Sequence, residues 1–152
     1  MSWSILKQPS TQEYIGLYYA FASGALICGY AANLLESITA LPNTIFYWVP
    51  QIFVLGLTAV ARPRPAFLAG TAIGIGTTAL ADAIVESRIE NNSLPLFLYL
   101  LWFLPLASIG VWLAYGVAKR WFSNSAVQCS LTGFFGAATG PWCIVAIDWL
   151  RR

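Results

Sequence analysis

Residues 14–36 read YIGLYYAFASGALICGYAANLLE, and residues 66–86 read AFLAGTAIGIGTTALADAIVE. In the first stretch Gly16, Ala20, Gly24, Cys28 and Ala32 recur every fourth residue, and the run ends on Glu36. In the second, Ala66, Gly70, Gly74 and Thr78 do the same and lead into Asp82 and Glu86. At 3.6 residues per turn such a step keeps the side chains nearly on one helix face. Lipid tails are as apolar as the helices themselves, so helices associate there by close packing, which small residues permit. The two stretches therefore point to an all-α, polytopic transmembrane bundle whose helices meet through Gly16, Ala20, Gly24, Gly70, Gly74 and Thr78.

Composition agrees. Hydrophobic residues make up 59% of the 152 residues and charged ones 9%, against roughly 25% charged in a soluble domain. A globule of this size cannot hide so much apolar surface from water, so lipid must cover the excess. The net charge of +2 is dispersed, which excludes a nucleic-acid surface. No run of Lys or Arg exceeds two residues, so no polybasic lipid-binding segment exists. We expect one transmembrane domain over residues 1–152 and the lipid bilayer as its first partner.

Five stretches are long enough to cross: Tyr14–Leu35, Thr44–Ala61, Pro65–Glu86, Leu94–Val117 and Ala126–Trp149. Each reaches or nearly reaches the roughly 20 residues that cover about 30 Å of hydrocarbon. Alternation of the kind barrel strands show is missing. Residues 1–13 form no basic leader, and the apolar run behind them is too long for a signal-peptide core, so it reads as a retained span. With five spans, Lys7, Arg62, Arg64, Lys119 and Arg120 share one side, and Arg88, Arg151 and Arg152 the other. This bias puts the N-terminus inside, and the size and compactness suggest a bacterial inner membrane. Trp3 and Trp121 then fall near the inner boundary, Trp48 and Trp149 near the outer one. Gly140-Pro141 interrupts the fifth stretch. The alternative is four spans plus a re-entrant C-terminal segment.

The string Glu36-Ser37, Leu41-Pro42, Trp48, Pro50, Gly56, Arg62 recurs as Glu86-Ser87, Leu94-Pro95, Trp102, Pro105, Gly110, Lys119. This is the pattern of two tandem helical hairpins followed by a fifth helix.

Three sets of residues could carry function. The small-residue stripes serve packing within the chain, or a homo-oligomer interface. Asp82 and Glu86 lie one turn apart, with Asp82 about 25 Å up its helix. Together with Glu36 and Asp148 they would make an outer rim of ion-binding candidates, because carboxylates at depth must face a cavity, a partner or water. Pro50, Pro105 and Pro141 are the helix-break candidates. In transporters such breaks expose carbonyls to ions, whereas in ordinary bundles they are kinks.

The chain contains no histidine. This removes His-based acid–base chemistry, bis-His haem and Cys/His zinc sites, and we expect no metal and no cofactor. Cys28, Cys129 and Cys143 read as small buried hydrophobes. Asp82 with Asp148 is the one carboxylate pair at depth that intramembrane aspartyl chemistry could use. The expected function is non-enzymatic: an accessory, assembly, inhibitory or immunity-type protein acting by helix packing with another membrane protein. The second reading is a small oligomeric transporter or channel for a cation or proton-coupled solute, using the rim carboxylates.

Overall fold

A computed structural model of the chain describes residues 9–34, 40–87, 96–122 and 124–150. These form five helices with no strand among them: α1 (Thr11–Leu34), α2 (Ala40–Val60), α3 (Pro65–Ser87), α4 (Leu96–Trp121) and α5 (Ala126–Leu150). The helix bounds follow the five apolar stretches to within a few residues.

Local chemistry sets the ends. α1 begins on a capping box, in which the Ser10 hydroxyl accepts from the Glu13 N–H at 3.4 Å and the Glu13 carboxylate accepts from the Ser10 N–H at 3.5 Å. Ser125 caps α5 in the same manner, its hydroxyl accepting from the Gln128 N–H at 3.3 Å. Pro65 occupies the first turn of α3, where a missing N–H costs nothing. Pro50, Pro105 and Pro141 all lie inside continuous helices. None of them interrupts its element, and α5 runs unbroken through Gly140-Pro141.

α3 is the central element. One of its faces packs on α1 and another on α5, while α4 packs on α5 as well and α2 lies against α1, α3 and α4. Of the α1 stripe, Gly16 is exposed and the Ala32 side chain lies outside the described ones, while the part over Ala20, Gly24 and Cys28 is buried with Ala31 beside it. It meets the Ala72 and Gly76 face of α3, whose Gly76 lies against the Gly24 backbone. The α3 stripe turns the other way. A Cβ on Gly70 would run into the Ser130 carbonyl of α5, and one on Gly74 would come within 2.6 Å of the Phe134 carbonyl. The reciprocal contact holds at Gly133, which lies against the Phe67 carbonyl. Thr78 is fully buried and its hydroxyl donates back to the Gly74 carbonyl at 2.7 Å. The two stripes read from the sequence thus hold α3 to two different neighbours, and neither faces the other.

The two hairpins of the proposed repeat pack differently. The backbones of α1 and α2 come close, whereas α3 and α4 meet chiefly through side chains such as Phe67 and Tyr115. Pro50 is buried where Pro105 is exposed. Gly56 meets nothing, whereas Gly110 abuts the Gly136 carbonyl.

The interior is built from small residues, Ala31, Ala72, Ala79, Ala83, Ala107 and Ala137 among them, with Phe67, Ile75 and Val54 as the largest fully buried side chains. Large apolar side chains point outward on every helix, for example Leu26, Ile52, Ile73, Leu113 and Phe135. Among the described residues one helix, over Thr11–Ala31, is long and apolar enough to cross a membrane, and Trp48–Val60 and Pro65–Ala81 form shorter apolar helical segments.

Candidate functional site at the basic end of the bundle

The start of α1, the α2–α3 turn, the end of α4 and the start of α5 converge at one end of the bundle. Glu13 organises it. Its carboxylate accepts from Arg64 Nε at 2.7 Å and from Arg64 Nη2 at 2.6 Å, a two-pronged pair in which the Arg64 and Glu13 side chains are 14% and 9% exposed. Hydrogen bonding from Arg64 brings the Glu13 carboxyl below its usual range, outweighing partial burial, and the Ser10 and Ala66 N–H groups add to the effect. The Arg64 guanidinium is raised in turn, chiefly by its hydrogen bonds to Glu13. Glu13 also stands in the first turn of α1 and beside the first turn of α3, where the helix dipoles favour an anion.

Behind this pair lies a cavity of about 360 Å³, with Tyr14, Arg62, Arg64, Phe67, Tyr115 and Lys119 in its walls. Tyr115 fixes one wall. Its hydroxyl donates to the Ala61 carbonyl at 3.1 Å, and its ring meets Phe67 edge-on at 5.8 Å. Arg62 and Lys119 are exposed and form no ion pair among the described residues. Arg62, two residues past the end of α2 and directly before Pro63, has φ of 50°, in the left-handed region. Its N–H donates to the Ala59 carbonyl at 2.9 Å. The Cys129 thiol, on the cavity's α5 side, donates to the Phe122 carbonyl at 3.0 Å.

The candidate acids lie outside what the structure describes in side-chain detail. Asp82 and Glu86 stand on α3 and Asp148 on α5, their side chains outside the described ones, and Glu36 lies outside the described residues. No cluster of three or more His, Cys, Asp or Glu side chains that could hold a metal occurs among the described residues. Ala20, Gly24, Gly70, Gly74 and Thr78 are buried between helices, whereas Gly16 is exposed and has no neighbour within 4 Å of a built Cβ. Cys28 and Cys129 are buried free thiols and Cys143 is exposed.

Two features escaped the reading of the sequence. The Ser10-x-x-Glu13 spacing is the signature of a capping box, but nothing in it announces Arg64, 51 positions on. Gln51 is buried and reaches from α2 to α1, with its Nε2 3.5 Å from the Phe21 carbonyl and its Oε1 accepting from the Cys28 thiol at 3.3 Å. A single Gln inside the apolar run 48–60 was the available signal, since a polar group at that depth requires a partner. The basic end is therefore the best-defined polar arrangement among the described residues. No protein-family model, no curated protein and no solved structure matches this chain.

Proposed function

We propose that the chain is a five-span integral protein of a bacterial inner membrane, with its N-terminus on the cytoplasmic side, that acts without catalysis by packing a helix face against another membrane protein. Support for the membrane setting comes from the distribution of side chains. Small residues fill the interior and large apolar ones cover the outside, the reverse of what water selects and what lipid permits. Each helix has at least 21 residues, or about 31 Å or more at 1.5 Å per residue, enough for the hydrocarbon layer.

The observation that carries the packing function is the unoccupied side of α1. Gly16, Tyr19, Ser23, Leu26 and Tyr30 follow one another at steps of three and four, and all are exposed, Tyr19 at 72% and Leu26 at 75%. Such steps form the seam by which one helix receives another. Gly16 and Ser23 leave room for a neighbouring backbone, and the two tyrosine hydroxyls and Ser23 offer hydrogen bonds that lipid tails cannot satisfy. A partner helix satisfies both.

The test is a photo-crosslinking residue at position 19 and, as an inward control, at position 72, in native membranes. The expected result is a discrete adduct with a different membrane protein from position 19 and none from position 72. Lipid adducts alone, or self-adducts alone, would overturn the heteromeric function. Reporters at the two termini should fall on opposite sides of the membrane, and a C-terminal reporter on the same side as the N-terminal one removes the five-span topology.

A further inference from the structure

We propose that the cavity at the basic end binds the phosphate headgroup of an anionic membrane lipid. The inference rests on the membrane setting above, but not on the partner-packing function. Its first ground is charge. Of the three cations in the cavity walls, Arg64 is neutralised by Glu13, whereas Arg62 and Lys119 are balanced by no acid among the described residues. The site therefore holds a surplus of about two positive charges, which a phosphate compensates and a zwitterionic headgroup compensates less well. The volume of about 360 Å³ suits one headgroup. The aromatic walls, Tyr14, Phe67 and Tyr115, provide the apolar part such a ligand needs where headgroup meets acyl chain.

The second ground is the backbone of Arg62. A left-handed residue closing a helix is ordinarily glycine, because a Cβ there crowds the backbone. Standing before Pro63 restricts this position further. Here an arginine takes that conformation, held by the Ala59 carbonyl and by the prolines that follow. The strained turn keeps a cation in the wall of the cavity, where glycine would give a more relaxed helix end and no charge. Tyr115 ties α4 to this turn through the neighbouring Ala61 carbonyl.

The experiment uses the full chain in detergent micelles and measures retained lipid by native mass spectrometry. The probes are phosphatidylglycerol, phosphatidylcholine of the same acyl chains, and soluble glycerol phosphate. One basic side chain near an anionic headgroup is worth about a fivefold change in binding. The chain should retain phosphatidylglycerol over phosphatidylcholine, Arg62→Gly and Lys119→Gln should each lower that preference about fivefold, and the double variant should abolish it. Arg62→Gly relieves the left-handed strain, so its thermal midpoint should stay level or rise while its lipid preference falls. Arg120→Gln, exposed but absent from the cavity walls, should leave the preference unchanged.

Equal retention of the two lipids, a double variant that still prefers phosphatidylglycerol, or an Arg120→Gln loss as large as that of Lys119→Gln would overturn the proposal. Displacement of the lipid by glycerol phosphate at similar concentration would assign the cavity to a soluble phosphate and overturn it as well. A protein that stays monodisperse in detergent-free buffer removes the membrane setting itself, an outcome distinct from any change in lipid preference.

Discussion

Glu13 and Arg64, 51 residues apart, share two hydrogen bonds of 2.6 and 2.7 Å that tie the first turn of α1 to the turn before α3. The same carboxylate closes the capping box of α1. A single side chain thus sets where α1 starts and which neighbour its end is fixed to. Elsewhere α1 is held by its small-residue stripe against α3 and by α2, whose Gln51 bonds to Cys28.

Glu13→Gln keeps the shape of the side chain and part of the capping box but removes the charge pair. The pair is charge-assisted yet lies at the water-facing end, so its loss should cost about 1–2 kcal/mol. Thermal unfolding in detergent, followed by circular dichroism, should show a lowered midpoint for the variant. An unchanged midpoint would mean that α1 is held by its packing on α2 and α3 without help from the pair.

The pair also gives stability a pH dependence of known sign. The Glu13 carboxyl is lowered in the folded protein from its ordinary value of 4.5. Its contribution is therefore complete above that value and is lost as the pH falls through the folded one. The raised Arg64 keeps its contribution throughout the working pH range and loses it only in strong alkali. The midpoint difference between the unaltered chain and Glu13→Gln should hold steady at neutral pH and shrink on acidification below about pH 4.5. A difference that stays constant down to pH 3 would assign the effect to shape and not to charge.

Gly70 and Gly16 belong to equivalent-looking stripes and should respond oppositely to alanine. At Gly70 the new methyl meets the Ser130 backbone carbonyl, which cannot rotate away, so α3 and α5 must separate. The expected loss is about 2 kcal/mol or more. At Gly16 the methyl enters open space, and the gain in helix propensity, up to about 1 kcal/mol, should leave the fold unharmed or firmer. The two unfolding midpoints decide the matter. A tolerant Gly70→Ala would contradict the α3–α5 contact.

Asp82→Asn separates packing from transport. A protein that works by helix packing should carry no proton or cation current when reconstituted in vesicles, and the variant should retain whatever crosslinks the unaltered chain forms through position 19. Flux through the unaltered protein that the variant lacks would restore the transporter reading and assign Asp82 to an ion path.

The apolar runs and their punctuation by themselves determined five helices, with bounds close to the observed ones. Hydrogen bonding within each run depends only on local residues, and the prolines at 50, 105 and 141 did not break it because neighbouring turns carry the load. The sequence also determined which residues are small enough to let helices touch. It could not determine which helices do so. A glycine looks the same whether it meets Ser130, as Gly70 does, or nothing, as Gly16 does, and two hairpins with echoing sequences pack in different ways. Those pairings, like Glu13 with Arg64 and Gln51 with Cys28, join residues far apart in the chain. They exist only once the helices have chosen neighbours, a choice made by the fit of whole surfaces and not by any one segment's pattern.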